Sequence, residues 1–224
     1  DFLSQISLFR DLSQEDYDFL YQQAEVVHFE KDQLVFEKGQ PAEYLYVLRS
    51  GLVKLYNLRK GTSKEEIVCL ISPREFYCLA PLLSRDTLHI HARAIDASEA
   101  LRIPKTALET LIERSHAFSK NVIRNLAGKE CDLCEEVCDL SLSTTKERLA
   151  KYLLEEFEKH QEASSLELPL NQTQLASYLG TVRETVSRDL GSLKKAHVIG
   201  TKKGKIVLID PEELVHIANG GQER

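Results

Sequence analysis

Arg183, Glu184, Ser187 and Arg188 crowd six residues with groups that can read base edges. An arginine can grip guanine O6 and N7 with two bonds, and a glutamate can accept from cytosine N4. At 100° per residue, Glu184 and Arg188, with Gly191 and Lys195, face away from the apolar stripe Val186, Leu190 and Leu193. An ordinary solvated helix carrying a Glu184–Arg188 ion pair would show the same spacing. The surroundings favour DNA. Lys202, Lys203 and Lys205 follow, suited to phosphate contacts. From Asn171 to Lys205 there are seven Lys/Arg against two acids, a charge of +5. The whole chain carries −6, so its other residues sum to −11. A basic patch on an acidic protein is an electrostatic footprint for phosphate.

A second set of residues is thiol-rich. Cys131, Cys134 and Cys138 stand at i, i+3 and i+7, which puts three thiols on one face of a helix. Cys78, His89 and His91 precede them, the two histidines alternating on an expected strand. Thiolate and imidazole ligands suit zinc, an iron–sulfur cluster or haem. Two plainer readings stand beside that one: reduced cysteines filling space, and thiol–disulfide sensing. Disulfides within one helix have poor geometry.

The elements that must position these groups can be read in order. Asn171 caps a helix whose inner positions are Leu175 and Leu179, and Gly180 supplies a sharp turn. Thr181 and Glu184 have capping-box spacing and predict the start of the second helix. Val198–Ile199, a turn over Gly200–Gly204, and Ile206–Ile209 predict a β-hairpin. Upstream, residues 5–24 predict a short helical lead-in, with a helix beginning at Leu12-Ser13. From Val26 to Ile103 short apolar or alternating runs (VVHF, QLVFE, YLYVL, LVKLYNL, EIVCLI, ALRI) are separated by Gly39, Gly51 and Gly61. Many short strands argue for an antiparallel sandwich or barrel. A helix follows Pro104, and a long one runs from His116 to about Leu142. Its Leu126, Leu133, Val137 and Leu140 are spaced seven, four and three, a coiled-coil-like seam suited to dimerisation. Ser143-Thr144-Thr145 breaks it. A further helix over 146–159 places Leu149, Leu153 and Phe157 on one side, and 160–165 reads as a polar loop. The fold class expected is α+β. It comprises an N-terminal antiparallel β-roll over 1–115, a dimerisation helix over 116–142 and a winged helix-turn-helix over 143–224.

At 224 residues the chain can hold two modest cores. No apolar run approaches the roughly 20 residues needed to span a bilayer. With no secretory signal read at the start, five cysteines point to a reducing, cytoplasmic setting.

This order of elements resembles the Crp–Fnr family of bacterial transcription regulators over essentially the whole chain. The resemblance rests on LFRDLS near the start, FEKGQPAEYLYVLRSGLVKLY at 36–56, ARAIDASEALRIPK at 92–105 and LASYLGTVRETVSRDL at 175–190. It implies a cyclic-nucleotide-binding-like β-roll that takes an effector, long helices that pair two subunits, and recognition helices in successive major grooves. The family's base-reading positions fall on Arg183, Glu184, Ser187 and Arg188. The implied partners are a palindromic DNA site, a second copy of the chain, RNA polymerase and a small effector of unknown identity. The implied effector pocket includes Cys78, Leu79, Leu88, His89 and Cys134.

The departures from the family pattern narrow the effector. Cyclic-nucleotide binders carry Gly-Glu-Leu and then Arg-Ser, which hold ribose and phosphate. Here those positions read Cys78-Leu79-Ala80 and Leu88-His89. A phosphate facing Leu would be buried unpaired at a cost of several kcal/mol, which argues against cyclic AMP. The N-terminal cysteine cluster of oxygen-sensing members is missing. Cys78 matches a cysteine of the family's haem-dependent carbon-monoxide sensors, but Ala80 replaces their nearby His. A thiolate-bound metal, an iron–sulfur cluster or haem at Cys78, Cys131, Cys134 and Cys138 is the expectation these residues leave open. The competing functions are a cupin-like metal enzyme on the β-roll, which metal-dependent turnover would reveal, and an adaptor whose helix-turn-helix no longer binds DNA. No catalytic residues are assigned.

Overall fold

The computed structural model describes residues 2–59, 61–62, 64–84, 87–159, 166–202 and 204–221, the side chain of residue 136 excepted. The chain divides into two compact units, Asp1–Asp132 and Leu133–Arg224.

The first unit opens with two 3₁₀ turns, Leu3–Gln5 and Ser7–Phe9, and helix α1, Gln14–Gln23. Ser13 caps α1, its side chain accepting from the Asp16 amide. The strands are β1 (Glu25–Phe29), β2 (Leu34–Phe36), β3 (Tyr44–Ser50), β4 (Val53–Leu58), β5 (Glu65–Ile71), β6 (Phe76–Tyr77), β7 (His91–Ala94) and β8 (Ser98–Pro104), with helix α2, Leu79–Ser84, between β6 and β7. They form two four-stranded antiparallel sheets, ordered β1-β8-β3-β6 and β2-β7-β4-β5. The register of the first sheet sets Leu45 opposite Ile103 and Val47 opposite Leu101, all four buried. Gly51 turns β3 into β4 at φ +88°, and an added Cβ would lie 2.5 Å from the Ala97 carbonyl, so only glycine fits. On β4 the buried ammonium of Lys54 is paired with Glu65 and sits 5.2 Å from the Tyr56 ring centroid.

Helix α3, Lys105–Arg114, follows Pro104, and helix α4 runs His116–Leu142, as the sequence predicts. The start of α4 is anchored in the β-roll core. Phe118 is fully buried and stacks on Phe9 at 5.8 Å. Burying such a side chain contributes about 1.5–3 kcal/mol. Asn121 also donates to the Arg10 carbonyl at 2.7 Å. The division between the units therefore falls inside α4, after Asp132.

The second unit holds the end of α4, then α5 (Thr145–Lys159), α6 (Gln172–Tyr178), α7 (Arg183–Lys195), the strands β9 (Ile199–Lys202) and β10 (Lys205–Leu208), and α8 (Pro211–Ala218). Its core is Leu149, Leu153, Leu175, Val186, Leu193, Val198 and Leu214, none of them exposed. Phe157, expected beside Leu149 and Leu153, is half-buried. The expected loop 160–165 lies outside the described residues.

Candidate DNA interface and the β-roll cavity

The geometry of α7 begins one helix earlier. Asn171 accepts from the Thr173 and Gln174 amides at 3.0 Å each, and Gln174 reaches back to the Asn171 amide, a complete capping box. Such a cap stabilises a helix by about 1 kcal/mol. Gly180 takes the left-handed turn at φ +66°, and the Thr181 amide closes it onto the Ala176 carbonyl at 2.8 Å. The expected capping box between Thr181 and Glu184 does not form. The N-cap is Val182, and no side chain caps α7. Thr181 lies one residue too early, its amide bonded back to α6.

That correction frees Glu184. Its carboxylate has no partner among the described residues, and the ordinary Glu184–Arg188 ion pair is not made. Arg183, Glu184, Ser187 and Arg188 are all exposed, Glu184 and Arg188 opposite the buried Val186, Leu190 and Leu193. Among the described residues Arg188 meets Asp189, Nε to Oδ1 at 3.4 Å, with 73% of its side chain exposed. Lys146 on α5 donates to Ser192 at 3.1 Å and ties the back of α7 in place.

The hairpin is tighter than the sequence suggests. Strand β9 continues through Lys202, and Lys202 pairs with Lys205, so Gly200–Lys202 lie in the ladder and not in the expected turn over Gly200–Gly204. Gly200 and Thr201 are held in the ladder by Val207 and Ile206. Lys202 and Lys205 are exposed, Lys205 lying 3.1 Å from Glu167. Lys203 lies outside the described residues.

One guanidinium secures the turn, a contact that sequence reading missed. Arg148 donates through Nη1 to the Ser143 carbonyl at 2.6 Å, and through Nε and Nη2 to the Leu179 carbonyl at 3.2 and 3.0 Å. It bonds the break after α4 and the turn before α7 at once. Nothing local in the sequence points to this pairing, because its partners lie 5 and 31 residues away.

In the first unit a cavity of about 780 Å³ opens between the β-roll and α4. Its wall draws residues from the stretches 7–11, 69–81 and 121–132, with Leu55 and His89. Cys78, Leu79 and His89 are among them. Leu88 is not. It is buried in the core, its amide donating to the Gln40 carbonyl and its carbonyl accepting from Gly39. Cys134 is also absent from the wall, which ends at Asp132. It is exposed on α4. Cys69 lines the wall and was not anticipated. His91 stands on β7, its Nδ1 accepting from the Lys38 amide at 3.3 Å and its ring stacked on Tyr56. His89 falls just before the strand instead of alternating with His91 along it.

Burial acts on a thiol in the wall and on phenols in and beside it. Burial pushes the Cys78 thiol far above its ordinary range. The Tyr46 phenol, stacked on Tyr77 at 5.1 Å, is pushed up to about 12, and Tyr77 is raised by burial as well. The expected metal or cluster site finds no support within one chain. Among the described residues no three His, Cys, Asp or Glu side chains lie together so as to hold a metal ion. Cys78 stands in the cavity wall with its thiol pushed up by burial, whereas Cys131, Cys134 and Cys138 are exposed on α4, so the four do not form one donor set within the chain.

The expected dimer seam is exposed along α4: Leu126 38%, Leu133 51%, Val137 62% and Leu140 60%, with Ile123 at 68% extending it by the same spacing. Among the described residues no helix is long and apolar enough to cross a membrane.

Comparison with known proteins finds matches to both parts of the chain. Residues 26–115 match the cyclic nucleotide-binding domain, and residues 147–217 the Crp-like helix-turn-helix domain. The chain is 24% identical over 197 residues to the transcriptional activator protein Anr of Pseudomonas protegens, covering 86% of this chain and 80% of that one. It is also 24% identical over 222 residues to a CRP-like cAMP-activated global transcriptional regulator of Mycobacterium tuberculosis, covering 97% and 99%. The solved structure of FixK2 from Bradyrhizobium japonicum superimposes with a TM-score of 0.79 at 25% identity, over 87% of this chain and 96% of that one.

Proposed function

This chain belongs to the Crp–Fnr family of DNA-binding transcription regulators, and from that premise we propose that it binds a palindromic site as a symmetric homodimer under control of an effector in the β-roll cavity. The observation that carries the reading is α7. Its four polar side chains stand exposed on a helix locked from behind, with Glu184 unengaged. Arg188 and Glu184 read a G·C pair in each half-site, within a TGTGA- or TTGA-like element. Lys202 and Lys205 lie against phosphate. The exposed stripe Leu126, Leu133, Val137 and Leu140 pairs two copies of α4 and sets half-sites about one helical turn apart. The 1–115, 116–142 and 143–224 segments then act as effector domain, dimerisation helix and DNA-binding domain. RNA polymerase is the further partner, in the cytoplasm.

Cyclic AMP is not the effector in this reading. Leu79 offers no ribose partner, and Leu88, at the family's phosphate position, is buried in the core away from the cavity.

The test is fluorescence anisotropy with a selected palindrome and a scrambled duplex. Arg188→Ala should cost about 1–3 kcal/mol on the palindrome and relax specificity at the G·C pair. Lys202→Ala should weaken both duplexes alike and lower the salt slope by about one. Equal affinity of the wild type for the two duplexes would sink the proposal.

A further inference from the structure

Among the described residues five other than glycine take positive φ, and three of them, Asp11, Arg74 and Cys78, line the β-roll cavity. Asp adopts that conformation with little strain, but Arg and Cys do not, and such strain collects at binding sites. Arg74 is held at φ +72° in the turn before β6, where its amide donates to the Leu48 carbonyl at 2.8 Å. The turn places Arg74 in the cavity wall, with its side chain exposed. Two more arginines line the same wall: Arg10, whose carbonyl is bonded by Asn121, and Arg124, one helical turn along α4. All three are exposed, and no side-chain partner of theirs is found among the described residues.

The acids of the wall do not cancel them. Asp132 lies 3.6 Å from Lys129. Glu75 accepts from the Ser72 amide at 2.6 Å within its own turn. Only Asp11 stands without such a contact, against three unpaired guanidiniums. The wall also offers an apolar surface of Leu55, Ile71, Phe76 and Leu79, while its Ser7, Asn121 and Asn125 side chains are engaged with one another and with the backbone. Guanidiniums favour planar oxyanions, with paired hydrogen bonds about twice as strong as neutral ones. An apolar interior favours a ligand body without hydroxyls, which would be left unpaired there.

We propose that the cavity takes a small oxyanion with an apolar body, its carboxylate or phosphate held by Arg10, Arg74 and Arg124 and its body against Leu55, Ile71, Phe76 and Leu79. This deepens the reading of the cavity as the effector site and rests on it.

The test is calorimetry on the full chain with octanoate, octyl phosphate and the uncharged octanamide. The two anions should bind at least about tenfold more tightly than octanamide. Preference for octyl phosphate assigns a phosphate monoester head, and preference for octanoate a carboxylate. Either outcome supports the proposal. The exposed double variant R74Q/R124Q should bring the anions to within about threefold of octanamide while octanamide affinity holds. The proposal is overturned if octanamide matches the anions in the wild type, if the double variant keeps the preference, if none of the three binds, or if cyclic AMP binds more tightly than octanoate. Palindrome affinity is measured without any probe and with each anion present. If it is specific while the anions fail to bind, only this proposal falls. If it is specific in none of these conditions, the regulator reading falls instead.

Discussion

Helix α7 gathers its proposed recognition groups, all exposed, within six consecutive residues, Glu184 and Arg188 facing away from Val186, Leu190 and Leu193, which hold the other face in the core. The β-roll cavity draws its wall from stretches between Ser7 and Asp132 and holds three arginines beside an apolar surface. One surface is built to meet a long polymer of fixed shape, so a single local helix suffices. The other, in the reading proposed, encloses a small molecule, and enclosure requires walls from many parts of the chain. If these are two separate recognitions, changes in one should leave the other's affinity unmoved when each is measured alone.

The largest separation should come from the α4 stripe. Leu133→Asp with Leu140→Asp places two charges in the apolar seam, where desolvation is costly. Neither residue lines the cavity. The variant should sediment as a folded monomer and lose at least about a hundredfold in palindrome affinity, because the second half-site no longer arrives at high effective concentration. Octanoate affinity should stay within about twofold of wild type, the ordinary scatter of distant sites. A variant that remains dimeric would place the subunit contact elsewhere. A variant that also loses octanoate would show that cavity and seam are one cooperative structure.

The same contrast explains what could be read in the sequence. The helix-turn-helix was legible nearly residue by residue because its signals are local: Asn171 as cap, Gly180 at the turn, and Val186, Leu190 and Leu193 as stripe. The misplaced cap at Thr181 shows the limit. Whether Thr181 or Val182 begins α7 depends on where α6 lets go of the Thr181 amide. Most strands were visible as short apolar runs, but β6, two residues long, and α2, built on Leu-Ala-Pro-Leu-Leu, carry no usable period. In the cavity the family pattern located Cys78, Leu79 and His89. It could not show that Leu88 turns into the core, nor that Arg10, Arg74 and Arg124 share a wall, because those positions meet only after folding.

A smaller effect should follow at Arg148. Its guanidinium bonds the Ser143 and Leu179 carbonyls from one planar fork, and hydrogen bonds to charged groups contribute about 1.5–3 kcal/mol. Arg148→Ala should lower the unfolding free energy of the second unit by that order and weaken palindrome binding several-fold, while octanoate binding holds. Arg148→Lys keeps the charge but cannot fork across two carbonyls, so it should rescue only part of both losses. Urea unfolding and anisotropy measured side by side check this. Full rescue by Lys would mean that charge alone matters and that Arg148 does not position α7.

The smallest effect tests the neutral wall itself. A thiol raised by burial stays protonated while the same thiol in the unfolded chain ionises near pH 8.5. Above that pH the unfolded state binds fewer protons than the folded state, so stability falls as pH rises. Below it, this group adds no pH dependence. Between pH 8.5 and 9.5, below the range where Tyr46 and Tyr77 enter, wild type should lose up to about 1 kcal/mol more stability than Cys78→Ala. The alanine keeps the same strained backbone, so the difference isolates the thiol. Reactivity should follow the same order, since the thiolate is the nucleophile. Iodoacetamide at pH 8 should label the exposed Cys131, Cys134 and Cys138 and spare Cys78, and palindrome affinity should be unchanged after labelling. Matching stability slopes together with early labelling of Cys78 would mean a thiolate in the cavity. The wall would then be anionic at its base, and the contrast with α7 as a surface that displays charge would no longer hold.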